Sequence, residues 1–343
     1  MRKISQLFIC LLFSSVVFAQ EKSYKNLVME GGGAKGIAYG GALVELENRG
    51  ILPQIQRVGG TSAGAIQACL LAVGYSAEEI AQIIADTPIE TFNDDGTVFR
   101  AGKRFLKNFG WYEGKNFLET IQKLIIDRTN NADLTFAELH ELAKTVPFRD
   151  LYVTGVNLTK QKLEIFSYET YPNMRICDAI RISMSVPLYY KAVYVNPKGR
   201  IIEKPLPIDN CSVFVDGGLL LNYPIEIFDE SKYLSAATDT TITKPIFNTE
   251  TLGLRLERCE QIDHEIRFRE GFAPFAIQDF KTYVSALYNI MTESVSRPKP
   301  EDITRTIYIN DYDMSPRVRK LSEEEKQKMM TSGRQGVIEF FQR

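Results

Sequence analysis

Asn26-Leu27-Val28-Met29-Glu30-Gly31-Gly32-Gly33-Ala34-Lys35-Gly36 and, one helix length later, Ile55-Gln56-Arg57-Val58-Gly59-Gly60-Thr61-Ser62-Ala63-Gly64 read as strand, glycine loop, helix, strand and serine turn. The short apolar run predicts a strand over Asn26–Met29. Ala38, Ala42 and Leu46 fall on one face of a helix, and Ile55–Val58 forms the second strand. Strands alternating with helices build a covered sheet, so the fold class expected is α/β.

Gly60-Thr61-Ser62-Ala63-Gly64 is G-x-S-x-G between a strand and a helix, where a sharp turn exposes a serine hydroxyl. Gly60 and Gly64 keep Cβ atoms out of that turn. Attack by Ser62 on an ester makes the carbonyl oxygen an anion, which fixed N–H donors must meet. Gly31, Gly32 and Gly33, continued by Ala34, Lys35 and Gly36 at a helix start, can aim successive N–H groups at one point, with the helix dipole adding to the field. The two glycine elements are complementary halves of an acyl-transfer site.

Gly31, Gly33 and Gly36 also satisfy the dinucleotide fingerprint G-x-G-x-x-G. That site needs an acidic residue about 20 positions on, to hold the ribose. None occurs between Glu47 and Glu78, and the second strand ends in the serine turn instead. The lysine-containing P-loop pattern is absent. Asn93-Asp94-Asp95-Gly96 resembles part of a calcium loop but lacks the end ligands, so it reads as a turn.

Downstream, small apolar residues predict a helix over Ala63–Val73, stopped by Gly74, and Ser76 with Glu79 has capping-box spacing for another. Helices are expected over Gly114–Ile126, Leu134–Ala143, Arg175–Ser185, Phe275–Val295 and Ser322–Phe341. Strands are expected over Leu151–Val156 and Leu163–Tyr168, paired about a polar turn, and over Leu252–Leu256 and Arg305–Ile309. Val213–Val215 is a buried strand ending in Asp216-Gly217-Gly218. Chemistry in α/β sheets gathers at carboxyl ends of strands, which singles out Asp216 over Asp209.

The base that activates Ser62 has few candidates, because His140 and His264 are the two histidines of the chain. The order Ser62, Asp216, His264 would fit an α/β-hydrolase triad. Against it, Ser62 comes too early for that fold, and His264 lies in a charged run, Glu260–Glu270, that reads as surface. A Ser62–Asp216 dyad remains. An aspartate with its ordinary pKa of about 3.9 is a weak base, so a dyad needs close geometry and a dry pocket.

Residues 1–19 form a basic, then apolar, secretory leader with cleavage expected after Ala19, which implies a periplasmic or secreted protein. The formal charge of −2 gives no basic character that suggests nucleic acid. Cys69, Cys177, Cys211 and Cys259 lack C-x-x-C spacing and are expected to be buried thiols. Phe99–Tyr112 has two readings. Arg100, Lys103, Arg104 and Lys107 with Phe105, Phe109 and Trp111 could seat a basic amphipathic segment on anionic lipid. The favoured reading is a solvated basic face with its aromatics in the core, because Gly102 and Gly110 limit the helix.

The glycine loop Gly31–Gly36, the turn Gly60–Gly64 and Asp216-Gly217-Gly218 followed by Asn222 and Pro224 together resemble the patatin-like phospholipases, as does the serine-and-proline block Ile182–Pro187. The likeness runs from Asn26 to about Ile225. It implies a three-layer α/β/α fold with a central, mostly parallel sheet, and a lipid acyl hydrolase using neither metal nor cofactor. Ser62 would be nucleophile, Asp216 base, and the loop Gly31–Gly36 the oxyanion hole, with Lys35 at its usual basic position. Residues 26–225 would be the catalytic domain, and residues 226–343 an extension packed on or completing it. The partner implied is an acyl lipid. A lipid-binding protein without turnover is the alternative of a different class.

Overall fold

The computed structural model describes residues 23–95, 97–236, 245–268, 271–280, 282–283, 286–287, 290 and 297–343. The leader expected over residues 1–19 lies outside them. The chain runs β1 (Asn26–Met29), α1 (Ala38–Asn48), β2 (Arg57–Gly60), α2 (Ala63–Ala72), α3 (Ala77–Asp86), α4 (Val98–Asn108), β3 (Gly110–Tyr112), α5 (Lys115–Thr129) and α6 (Phe136–Ala143). It continues through β4 (Asp150–Asn157), β5 (Lys162–Phe166), α7 (Ile176–Ser183), β6 (Leu188–Tyr190), β7 (Val193–Val195) and β8 (Ser212–Asp216). Last come β9 (Thr251–Glu257), α8 (Cys259–Phe268), β10 (Thr306–Asn310) and α9 (Glu323–Gln342).

The main sheet has the order β10-β9-β1-β2-β4-β8-β7, with β5 antiparallel on β4. The five strands β10, β9, β1, β2 and β4 are parallel; β8 runs the other way, and β7, antiparallel to β8, again runs with the five. The sheet is therefore mostly parallel and flanked by helices, as expected of the fold class. Every residue of β1 and β9 is buried, as strands covered on both faces must be. Leu27, Met29, Leu252 and Leu254 point into the larger core with α1, α2 and α7. Val28 faces the other way, with Tyr152, Tyr223, Ile225 and Phe228.

The last third of the chain supplies β9 and β10 to this same sheet, beside β1. Helix α9 then packs on α1 at a distance only glycine permits. A Cβ on Gly41 would lie 1.8 Å from Met330 O, and one on Gly333 would lie 1.9 Å from Ala38 O.

Most expected elements form within two residues of their predicted limits; the capping box of Ser76 with Glu79 is present, and the last helix opens on another, Ser322 with Glu325, whose spacing is likewise visible in the sequence. The second strand starts two residues late, because Leu52–Gln54 takes a tight turn at Pro53. The helix expected over Phe275–Val295 begins at Phe280 among the described residues, after a stretch containing Pro274; many of its later residues lie outside them. The Asn93–Asp95 turn has a use that spacing does not reveal. Asp94 accepts from the N–H groups of Gly114, Lys115 and Asn116 and so caps α5. Cys69 and Cys177 are buried, Cys211 partly so, and Cys259 is exposed; all four are unpaired thiols.

The placement of aromatics expected over Phe99–Tyr112 is corrected. Phe105 and Phe109 are 37% and 48% exposed rather than in the core, and Leu106 is 80% exposed. The basic side is partly internal, since Arg104 turns inward to Asp95 and to Trp111 O.

Candidate active site

Ser62 sits between β2 and α2 with φ 52° and ψ −120°, a left-handed conformation that costs a non-glycine residue about 1–3 kcal/mol. Its neighbours leave no alternative path. A Cβ on Gly60 would meet Gly64 C at 2.5 Å, and one on Gly64 would meet Met29 O at 2.3 Å. The turn is held from outside by α7 and β4. Ser62 N–H donates to Ser183 Oγ at 2.9 Å, and Thr61 Oγ1 lies 2.7 Å from Thr154 Oγ1.

Asp216 reaches the same place from the opposite direction. Gly60 of β2 pairs with Val153, and Asp216 of the antiparallel β8 pairs with Gly155, two positions further along β4. The residues just beyond Gly60 and the carboxylate of Asp216 therefore lie at one level of the sheet. Asp216 N–H donates to Ser185 O at 3.0 Å, and its Oδ1 accepts from Gly218 N–H at 2.8 Å. Burial drives this carboxyl up from the ordinary 3.8 to about 7; the Gly218 N–H and the Ser62 hydroxyl oppose the rise. At rest the hydroxyl also approaches Met184 Sδ, at 3.7 Å, an acceptor too weak to hold it away from Asp216.

Against the serine lies the glycine loop. A Cβ on Gly31 would come within 3.3 Å of Ser62 Cβ and 2.3 Å of Asn222 Oδ1. Of the six loop residues expected to form an oxyanion hole, three have their N–H groups engaged elsewhere. Gly31 N–H donates to Asn222 O, Ala34 N–H to Pro316 O and Lys35 N–H to Gly32 O. Gly36 packs against Ala63, where a Cβ would meet Ala63 Cβ at 2.8 Å. The N–H groups of Gly32, Gly33 and Ala63 make no hydrogen bond among the described residues, so they are the donors free to meet an anion. Gly33 has φ +53°, and a Cβ there would strike Pro316 O at 2.1 Å. The Lys35 ammonium is tied to buried Asp311. Burial works to lower its pKa, but Asp311, with Glu257 and Glu30, outweighs that and raises it.

Several of these supports have no signature in spacing. Thr154 lies between the two motifs, within 2.7 Å of Thr61 Oγ1 and 2.1 Å of a Cβ built on Gly217. Glu30 accepts from Leu256 N–H at 2.8 Å and from Asn222 Nδ2 at 3.4 Å, and Asn222 Nδ2 also donates to Gly31 O at 3.1 Å. Pro316 and Asp311 come from the far end of the chain. Ser183, Ser185 and Asn222 lay within motifs visible in the sequence, but their partners did not.

Neither histidine contacts Ser62 or Asp216 among the described residues. His140 stacks on Tyr168 with ring centroids 3.8 Å apart and bonds Asp150 at 2.7 Å. His264, on α8, packs on Phe268. Among the described residues there is also no group of acidic, histidine or cysteine side chains able to hold a metal ion.

Comparison with known proteins bears on the family and the fold. A family model described as patatin-like phospholipase matches residues 27–229. A protein of Acanthamoeba polyphaga mimivirus is 32% identical over 211 residues, which cover 61% of this chain and 63% of that protein. The "Probable lipid hydrolase" of Invertebrate iridescent virus 6 is 29% identical over 207 residues, 60% of this chain and 63% of that one. The chain thus matches under two thirds of the length of these relatives. Among solved structures, VipD from Legionella pneumophila superposes with a TM-score of 0.57 at 19% identity, covering 93% of this chain and 67% of that one, a likeness of fold.

Proposed function

The chain belongs to the patatin-like phospholipase family, and we propose that it is an exported acyl-lipid esterase of the phospholipase A kind, working through a Ser62–Asp216 dyad. The observation that carries this reading is the convergence of a strained serine and a buried carboxyl with a pKa of about 7 at one level of the sheet. An aspartate of ordinary pKa would be too weak a base; one raised close to neutrality suits the task. The lipid-hydrolase name of the iridescent-virus relative supports the substrate class.

Ser62 Oγ attacks the ester carbonyl carbon while Asp216 takes its proton. The oxyanion meets the N–H groups of Gly32, Gly33 and Ala63. The tetrahedral intermediate collapses to an acyl-serine, and Asp216 returns the proton to the departing alcohol. Water then attacks the acyl carbon as Asp216 takes its proton, and the second tetrahedral intermediate collapses to release the acid as Asp216 gives that proton back to Ser62 Oγ. The triad reading with His264 has no support from the contacts of that residue.

Contact with a lipid surface belongs to the same reading. Phe105, Leu106 and Phe109 project from α4 and the turn after it, and β3, which follows, pairs with β6 through Gly110 and Leu188, the latter 59% exposed. Strand β6 begins just after the Ser183–Ser185 segment that grips the dyad. Leu219 and Leu220, 45% and 38% exposed and three and four residues after Asp216, give the site an apolar rim, which the exposed surface of Phe105, Leu106 and Phe109 would extend for contact with lipid.

The test is hydrolysis of a fluorescent acyl ester by the wild type, Ser62→Ala and Asp216→Ala. Losses of at least ~10³-fold are expected for each variant. Wild-type protein no faster than either would end the enzyme reading and leave lipid binding without turnover.

A further inference from the structure

Asn222 follows Asp216 by six residues, and its side chain reaches the glycine loop. Nδ2 donates to Gly31 O at 3.1 Å and to Glu30 Oε1 at 3.4 Å, while Asn222 O accepts from Gly31 N–H at 3.0 Å. Gly31 O and the Glu30 carboxylate are both acceptors, so the amide NH2 must face them and Oδ1 turns to the other side. There a Cβ built on Gly31 would lie 2.3 Å from Oδ1, and one built on Gly218 would lie 3.0 Å from it. Gly218 is the residue whose N–H donates to Asp216 Oδ1. One amide therefore fills the space between the glycine loop and the acid turn, and both sides have given up a side chain to admit it.

The peptide joining Gly31 to Gly32 is trans. In a planar trans peptide the C=O and the N–H that follows it point in opposite directions. A donor that holds Gly31 O thus also fixes the heading of the Gly32 N–H, away from Asn222. That N–H makes no hydrogen bond among the described residues, and a Cβ on the preceding Gly31 would come within 3.3 Å of Ser62 Cβ. Glycines bring no side chains to lock their own peptides, so the orientation must be set from outside. Glu30 in turn fixes the amide. It is 1% exposed, its Oε2 accepts from Leu256 N–H of β9 at 2.8 Å, and Arg255 Nε lies 3.6 Å from its Oε1.

We infer that Asn222, held by Glu30, is a positioning residue for the reaction: it sets the Gly31–Gly32 peptide so that the Gly32 N–H meets the oxyanion formed when Ser62 attacks. The inference rests on the esterase reading above and deepens it. Asn222 acts through the loop and takes no part in the proton transfers.

The test uses Asn222→Asp, which keeps the shape and loses both side-chain N–H donors, and Asn222→Leu, on a fluorescent acyl ester, with reactive serines counted by a fluorophosphonate. The kcat per reactive serine is expected to fall by at least ~10-fold, against ~10²–10³-fold for outright loss of one oxyanion donor, with KM within about threefold of wild type. The Ki of an alkyl trifluoromethyl ketone, whose adduct with Ser62 carries the oxyanion, should rise by about the factor lost from kcat/KM. Fewer reactive serines and a lower melting temperature, with kcat per serine and Ki unchanged, would make the role of Asn222 structural and overturn the inference. A readout on wild-type protein holds even if neither variant folds. In ¹⁵N-glycine-labelled protein the Gly32 amide should shift downfield on adding the ketone, while the Gly31 amide, bonded to Asn222 O, keeps its position. An unmoved Gly32 amide overturns the inference and leaves the esterase reading intact. Wild-type protein that neither hydrolyses the ester nor forms the adduct would end the esterase reading itself, and this inference with it.

Discussion

Replacing Asp216 by asparagine is expected to make the protein more stable at pH 8 and inactive at every pH. The carboxyl is buried with Gly218 N–H on one oxygen, and its pKa rises from 3.8 to about 7. At about 1.4 kcal/mol per tenfold, keeping it ionised in the folded chain rather than the unfolded one costs about 4 kcal/mol. Asparagine presents the same Oδ1 to Gly218 and carries no charge, so the gain expected at pH 8 is about 2–4 kcal/mol after allowing for its own burial. The sign follows from proton uptake. Between pH 4 and 7 the folded state binds the proton and the unfolded state has released it, so wild-type stability from this group falls as pH rises through that window and stays low above it. At pH 4 wild type and variant should therefore be nearly equal. Urea unfolding of both at pH 4, 6 and 8 measures the difference. In the same window the wild-type kcat/KM should climb about tenfold per pH unit up to about 7 and then level off, because the base must be ionised. A variant no more stable than wild type at pH 8, or a flat wild-type profile from pH 5 to 8, would refute the argument that burial of this carboxyl sets its basicity.

The strain at Ser62 can be read separately from its chemistry. With φ at 52°, Ser62→Gly should be about 1 kcal/mol more stable than Ser62→Ala in chemical denaturation, both being inactive; the reverse order would mean that the turn is not strained. For the apolar rim, joint replacement of Phe105 and Phe109 by serine should weaken binding to anionic phospholipid vesicles by about tenfold while leaving the melting temperature within about 2 °C, since both side chains are exposed. Unchanged vesicle binding would remove this segment from the lipid contact.

The parts of the site legible in the sequence are those in which the backbone leaves few options. A serine at positive φ can be tolerated only where the neighbours at two residues' distance lack side chains, so Gly60 and Gly64 announce Ser62. The capping boxes at Ser76 and Ser322 are legible for a similar reason, because their donor and acceptor lie three residues apart. Exposure is different. The aromatic residues of α4 have the same composition whether they face a core or solvent, and composition alone favoured the wrong side for Phe105 and Phe109.

By itself, then, the sequence determined the serine turn, the glycine loop, the alternation of strands and helices and the acid at the end of Val213–Val215, all of them properties of short segments. The tertiary structure alone decided that β8 runs antiparallel, which carries Asp216 to the level of Ser62. It also decided that Pro316 and Asn222 occupy the N–H groups of Ala34 and Gly31, leaving those of Gly32, Gly33 and Ala63 free among the described residues. Last, it decided that Asp216 is buried enough to titrate near neutrality. Strand direction, hydrogen-bond competition and desolvation each depend on what is packed alongside from a distant part of the chain, and that information is absent from any local pattern.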